Sequence, residues 1–101
     1  MGRMVTQFSN ETDASRYAMH IDGELVGVLD YRILGGSISL TRSFTVPAKR
    51  GNGYAGQLVE YAVDDIERTG GLSIVPMCWY VAQWFDDHPE RAGLLQQRSA
   101  G

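Results

Sequence analysis

A basic, glycine-rich stretch with the sequence Lys-Arg-Gly-Asn-Gly-Tyr-Ala-Gly occupies positions 49–56, directly before a segment with helical periodicity. Glycines at the start of a helix let a ligand approach backbone N–H groups that have no intrahelical acceptor, and the positive end of the helix dipole attracts anions there. The side chains of Lys49 and Arg50 add two cations. The stretch therefore predicts a phosphate-binding site, with a simple tight turn at Asn52-Gly53 as the alternative interpretation.

Two known phosphate-binding patterns do not fit this stretch. It lacks the Gly-Lys-Ser/Thr ending of a P-loop, which holds nucleotide and magnesium. It also follows segments that alternate like antiparallel strands, whereas a dinucleotide fingerprint belongs to a parallel βαβ unit. The predicted ligand is thus an anion held mainly by backbone amides.

Cys78 and Tyr80 are the candidate catalytic residues. Cys78 is the only cysteine, so it can form no internal disulfide and no multi-thiolate metal site. It begins a second segment with helical spacing, where a helix dipole favours a nucleophilic thiolate. The alternative interpretation makes Cys78 a small apolar packing residue and Tyr80 a core aromatic rather than a proton donor. His20 and His88, the two imidazoles, are interpreted as structural.

The elements that must position these residues begin with strands. Period-2 alternation, interrupted by turn signals at Asp22-Gly23 and Gly35-Gly36, predicts an antiparallel β-meander. The predicted strands are Met4 to Ser9, Arg16 to Ile21, Glu24 to Ile33 and Ser37 to Val46. In the last of these, Ile38, Leu40, Phe44 and Val46 are expected to share one face, with Arg42 interrupting it.

Helical periodicity takes over after Pro47. Apolar residues at Ala55, Leu58, Val59, Ala62, Val63 and Ile66 form one stripe of a helix that Gly70-Gly71 ends. A short strand at Leu72 to Val75 and a second helical segment, from Met77 to His88, follow it. The fold class is therefore α+β, a meander followed by α-β-α, with helices packed on a mixed sheet. We expect one domain at residues 1–95 and a polar C-terminal tail at residues 96–101.

Composition excludes several classes of protein. The 101 residues are 44% apolar and 21% charged, which is typical of one globular domain, and no apolar run is long enough to cross a membrane. The net charge of −3 disfavours binding to nucleic acid. The residues from Tyr31 to Val59 nevertheless include four basic and no acidic side chains, a local excess that an anion site needs. We expect a cytoplasmic protein with no metal site.

Two blocks of the sequence resemble the GNAT superfamily of acyl-CoA-dependent N-acetyltransferases. Arg50-Gly51-Asn52-Gly53-Tyr54-Ala55 is similar to the pyrophosphate-binding pattern Q/R-x-x-G-x-G/A of that superfamily. Residues 75–81, Val-Pro-Met-Cys-Trp-Tyr-Val, followed by His-Pro-Glu at 88–90, resemble signatures of its compact single-domain branch. Together with the strand order, the resemblance covers almost the whole chain.

The resemblance implies acetyl-CoA as acyl donor and assigns the residues that bind it. The stretch from Lys49 through Arg50, Gly51, Asn52, Gly53 and Tyr54 to Ala55 would hold the CoA pyrophosphate. The main chain of Phe44, Thr45 and Val46 would pair with the pantetheine amides like an added strand. Cys78 would lie near the acyl thioester.

The sequence departs from the compact branch at the positions of its acid–base residues. Its relatives commonly read His-Thr-Glu-Val where this chain reads Ser43-Phe44-Thr45-Val46, and neither Ser43 nor Thr45 is a general base at neutral pH. Trp84 stands where relatives often have tyrosine. In addition, only residues 10–15 separate the first two strands, too few to build a dedicated acceptor pocket.

Three functions remain open from the sequence. The first is an acetyltransferase that acts on an amine, such as a protein amine that brings its own complementarity. The second is a noncatalytic acyl-CoA-binding or sensing module, which the missing acid–base residues favour. The third is an interaction domain that keeps the fold and in which the glycine-rich stretch is only a turn.

Overall fold

Five strands form one mixed sheet in a computed structural model that describes residues 4–96. The strands are β1 (Thr6–Glu11), β2 (Arg16–Ile21), β3 (Glu24–Leu34), β4 (Ser37–Thr45) and β5 (Ser73–Pro76). They lie side by side in chain order, antiparallel from β1 to β4, whereas β5 joins β4 in parallel. A parallel neighbour requires a crossover, and helix α1 (Tyr54–Thr69) supplies it. The predicted α+β fold, with a meander followed by α-β-α, is confirmed.

Helices α1 and α2 (Trp79–Asp87) share one hydrophobic core with the sheet. The buried residues of α1 repeat at helical spacing, as the sequence predicts, and are Leu58, Val59, Ala62, Val63 and Ile66. Val81, Trp84 and Phe85 of α2 join them, together with Ile74 of β5. Both helices are thus fixed by packing, and their N-terminal ends are fixed with them.

Several element boundaries differ by one or two residues from the sequence prediction, and at two of them tertiary contacts outweigh local signals. β1 runs on to Glu11 instead of ending at Ser9, since Asn10 and Glu11 pair with β2 and the Glu11 carboxylate accepts a 2.6 Å hydrogen bond from Arg16. α2 begins at Trp79 rather than Met77, because the two preceding N–H groups are bonded to β4. A 3-10 helix at Pro89–Leu94 follows α2 and was not predicted.

The predicted face of β4 is wrong for Phe44, because a β-bulge interrupts the β3–β4 ladder. The register shifts between Asp30 and Tyr31, so that Tyr31 pairs with Leu40 while Asp30 pairs with Arg42. The extra residue reverses the alternation of the strand. Ile38 and Leu40 therefore belong to the core, whereas Phe44 lies outside it, under the Arg42 guanidinium at 5.1 Å.

The chain beyond Leu95 is only partly described. The N–H of Gln96 donates to the carbonyl of Ile74 in β5 at 2.8 Å, so the main chain stays beside the sheet up to that residue. The rest of the predicted tail at residues 96–101 lies outside the described residues, as does the start of the domain predicted at residues 1–95. Those limits stay predictions.

Candidate functional site

The site is built where β4 and β5 part. Their parallel pairing ends at Leu40 and Pro76. The N–H groups of Met77 and Cys78 both donate to the carbonyl of Leu40, at 3.1 and 3.0 Å, and the chain turns there into α2. β4 runs on to Thr45 beyond its pairing with β5. A cleft therefore opens between the end of β4 and the start of α2.

The cleft has a volume of about 390 Å³. It is lined by residues from β4, the glycine-rich loop, α1 and α2, namely Ser43, Phe44, Thr45, Lys49, Arg50, Gly51, Gly53, Tyr54, Ala55, Cys78, Trp79 and Tyr80. Every site residue predicted from the sequence is among them except Val46 and Asn52. Ser43 and Trp79 are additional. The fold thus brings together segments that lie more than 30 residues apart in the chain.

Backbone conformation explains the two glycines of the loop. Gly51 and Gly53 have φ angles of 85° and 76°, in the left-handed region that favours glycine. Gly53 caps α1, yet no side chain bonds to the free N–H groups of this helix end and no acidic residue occupies its first turn. The positive end of α1 is therefore available to an anion in the cleft.

Asn52 and Val46 have structural contacts of their own. The Asn52 side-chain amide donates to the carbonyl of Lys49 at 3.0 Å and so holds the loop in shape. The N–H of Val46 donates to the carbonyl of Val26 at 2.8 Å. Neither residue is among those that line the cleft.

The charged side chains that line the cleft are both cationic. Arg50 donates from Nε to the carbonyl of Thr45 at 3.3 Å, which ties the loop to the end of β4. Lys49 lies 3.9 Å from the Glu24 carboxylate, which is itself largely exposed. No carboxylate and no imidazole is found among the described residues that line the cleft. The cleft is therefore electropositive, as the sequence predicts.

Tyr80 and Cys78 stand on the α2 side of the cleft and also pack against the core. Burial raises the pKa of the Tyr80 hydroxyl, and the negative charge of Asp87 raises it further. A Cβ atom placed on Gly56 would lie 3.4 Å from this hydroxyl, so the hydroxyl reaches the first turn of α1. Cys78 caps α2 and is half-buried. The two side chains can thus contact the same bound molecule.

The two histidines lie away from the cleft. His88 stacks on Trp84, with ring centroids 4.0 Å apart, and its Nδ1 lies 2.7 Å from the Trp84 carbonyl. Trp84 itself is a core residue that is 6% exposed. His20, in β2, borders a different surface depression. Neither imidazole is among the groups that line the cleft.

Trp79 is the functional candidate that sequence reasoning left out of the site. Its side chain lines the cleft and is 78% exposed, with its ring 5.9 Å from the ring of Tyr80. Its position next to Cys78 was the available signal. The sequence places both Trp79 and Trp84 beside the site, whereas in the structure only Trp79 lines the cleft, because Trp84 is buried in the core.

The chain matches one known protein family. A family model described as GCN5-related N-acetyl-transferase matches residues 16–94, which include every residue of the cleft. No curated protein matches the chain. Among the described residues, no helix is long and apolar enough to cross a membrane.

Proposed function

Because the chain belongs to the GCN5-related N-acetyltransferase family, we propose that it binds acetyl-CoA in the cleft between β4 and α2 and transfers the acetyl group to an amine. One observation carries the proposal. The N-terminus of α1, which has no side-chain cap and no carboxylate in its first turn, opens into the same cleft as the end of β4, Cys78 and Tyr80. An anion-binding end and a reactive end thus lie in one continuous space.

The two ends of the cleft suit the two ends of acetyl-CoA. The backbone N–H groups of the loop and of Tyr54 and Ala55 would bind the pyrophosphate, with Lys49 and Arg50 supplying charge nearby. The edge of β4 near Phe44 and Thr45, which extends beyond β5, would pair with the pantetheine amides. The thioester would then lie beside Cys78 and Tyr80.

Transfer requires one bond exchange and one proton. The lone pair of a neutral amine attacks the thioester carbonyl, the C–S bond breaks, and an amide and CoA are formed. The proton that the nitrogen loses balances the proton that the sulfur gains. Tyr80 is the proposed donor to the leaving sulfur, because its hydroxyl lines the cleft together with Cys78 and carries its proton at neutral pH.

We propose that Cys78 forms part of the wall around the thioester and that the amine attacks the thioester carbonyl directly. A covalent acetyl-cysteine would need a base to activate the thiol, and the described residues that line the cleft include no imidazole or carboxylate. The covalent alternative is open to a direct test. It would appear in the intact mass of the protein as one acetyl group that disappears in Cys78→Ala.

The same lack of a base favours a second candidate function. A noncatalytic acyl-CoA-binding or sensing module needs the loop and the edge of β4 but no proton transfer. It would bind acetyl-CoA as tightly as the enzyme does and leave every amine unmodified. Measuring transfer and binding on one preparation separates the two candidates.

Calorimetric titration with acetyl-CoA, with ATP as a control for general phosphate binding, tests the proposal. We expect saturable binding that Gly53→Val weakens about tenfold, because the new side chain displaces N–H groups from the phosphate. Gly35→Val is the matched control, since both glycines have positive φ and open space around Cβ. Both variants should lose about 1–2 kcal/mol of stability. Equal affinity of the two variants for acetyl-CoA would contradict the proposal.

A further inference from the structure

The directions of the main-chain groups at the end of β4 decide which of them face the cleft. The N–H of Val46 donates to the carbonyl of Val26 at 2.8 Å and therefore points to β3. The carbonyl oxygen of Phe44 points there too, since it would lie 2.8 Å from a Cβ atom on Gly27. Successive residues of a strand direct their main-chain groups to opposite sides. The N–H and the carbonyl of Thr45 therefore lie on the edge of β4 that borders the cleft.

The carbonyl of Thr45 on this edge has a side-chain partner. The Nε–H group of Arg50 donates to it at 3.3 Å. The 3-10 turn Pro47–Lys49 lies between the two residues and brings them together, and the N–H of Arg50 donates to the carbonyl of Pro47 at its end. Arg50 therefore ties the start of the glycine-rich loop to the end of β4.

Arg50 keeps donors for a second partner. Its guanidinium carries five N–H donors in one plane, and Nε lies nearer to the main chain than the two Nη atoms at the tip. With Nε bonded to Thr45, the tip can still donate to an oxygen of a bound anion. Because Arg50 also lines the cleft, one side chain can hold the edge of β4 and an anion at the same time.

From this geometry we infer that Arg50 is a positioning residue, whose bond to the Thr45 carbonyl couples the binding of the CoA pyrophosphate to the pairing of pantetheine with β4. The inference rests on the proposed function and gives Arg50 a task beyond its charge. A pyrophosphate bound at the tip fixes the side chain, and the fixed side chain holds the end of β4, where the Thr45 N–H donates to a pantetheine carbonyl. By linkage, each half of the ligand raises the affinity for the other half.

Arg50→Lys isolates the bond to Thr45. Lysine keeps a positive charge at its tip but has a methylene group in place of Nε. Calorimetry compares CoA with 3′-phospho-ADP, which is the nucleotide half of CoA without pantetheine. We expect Arg50→Lys to weaken CoA about fivefold and the nucleotide half less than about twofold. Equal losses for the two ligands, or no loss for either, overturn the inference.

Lys49→Gln is the matched control. It removes one charge from the same loop and leaves the bond between Arg50 and Thr45 in place, since the Lys49 ammonium lies 3.9 Å from the Glu24 carboxylate instead. We expect it to weaken CoA and 3′-phospho-ADP by the same factor. If Lys49→Gln changes the ratio of the two affinities as much as Arg50→Lys does, the ratio reports only loop charge and the inference is wrong.

NMR gives a readout that does not depend on affinities. An N–H group held in a hydrogen bond exchanges with water more slowly than one that is not. With CoA bound, the Nε–H of Arg50 should exchange more slowly than the Nε–H of Arg42, which is also exposed and bonds Asp30 through Nη1. Equal or faster exchange at Arg50 contradicts the inference.

The outcomes distinguish the inference from its premise. If the protein binds CoA and Arg50→Lys leaves the ratio of the two affinities unchanged, the inference alone fails. If the protein binds CoA no more tightly than 3′-phospho-ADP, the two halves are not coupled and the inference is again wrong. If CoA does not bind at all, the proposed function fails and the inference with it.

Discussion

Tyr80 is the side chain whose chemistry is most directly set by its neighbours. Desolvation first, and then the charge of Asp87, raise the pKa of its hydroxyl above the ordinary value. Tyr80→Phe removes the hydroxyl proton and changes the volume of the side chain only slightly. We expect kcat for acetyl transfer to fall about 100-fold, the lower end of what a general acid contributes, while the acetyl-CoA affinity stays within threefold.

Steady-state kinetics and a titration of the same Tyr80→Phe preparation check this expectation. An unchanged kcat would show that Tyr80 is a packing residue and takes no part in the transfer. Tyr61→Phe is a suitable control, because Tyr61 stacks on Phe8 at 4.9 Å and lies outside the cleft.

At the scale of residues, the sequence predicted most of the site because its members lie in two short segments with distinct patterns. Asn52 and Val46, which it also assigned to the site, are not among the residues that line the cleft, and the Asn52 side-chain amide and the Val46 N–H bond to Lys49 and Val26. It also did not separate Trp79, which lines the cleft, from the buried Trp84, because a periodic aromatic segment does not reveal which ring reaches solvent. These distinctions depend on hydrogen bonds and exposure that exist only after folding.

At the scale of elements, β3 and β4 approach closely at Gly27. A Cβ atom at this position would lie 2.8 Å from the carbonyl oxygen of Phe44, a backbone atom that cannot move alone. Gly27→Ala should therefore destabilise the protein by roughly 1–3 kcal/mol through overpacking. It should also disturb the end of β4 that lines the cleft.

Gly56→Ala is the matched variant within α1. There the new methyl group meets only the Tyr80 hydroxyl at 3.4 Å, an ordinary contact, and alanine is the better helix former. We expect a gain of about 0.5–1 kcal/mol. Urea unfolding of both variants measures the two free energies, and a shift of the same sign in both would contradict the argument.

Element order and helix periodicity were predictable from the sequence, whereas boundaries and faces were predictable only in part. The turn-forming residues Asn10 and Glu11 lie inside β1 because a neighbouring strand satisfies their backbone. The bulge opposite Asp30 reverses the face of β4, and no glycine or proline marks it in the sequence. Both features come from pairing between strands rather than from local preference.

At the scale of the whole molecule, buried tyrosines make stability depend on high pH. Tyr17 is 2% exposed and donates a 2.8 Å hydrogen bond to the Asp65 carboxylate, and burial followed by this bond raises its pKa above the ordinary value. Burial also raises the pKa of Tyr31. The folded state therefore keeps protons that the unfolded chain releases above about pH 10.

The direction of the pH dependence follows from this difference in proton binding between the folded and the unfolded chain. Stability from Tyr17 is complete below pH 10 and is lost as the pH rises further, by up to about 1.4 kcal/mol per pH unit. Tyr17→Phe should be about 1–2 kcal/mol less stable at pH 7, since Asp65 loses a donor, and should show a shallower decline above pH 10. Unfolding free energies measured between pH 7 and 11 check both parts. A steeper decline in Tyr17→Phe would contradict this assignment.

The carbonyl of Leu40 accepts two N–H groups where β4 and β5 part. This point therefore also marks where the end of β4 and the start of α2 can begin to move apart. On one side of this point the strands are joined by the ladder, and on the other only side chains resist their spreading. A ligand that bridges the two arms would suppress that spreading. Amide hydrogen exchange should then slow together in residues 41–45 and 77–80, although the two segments share no ladder, and the protection would report occupancy without any measurement of turnover.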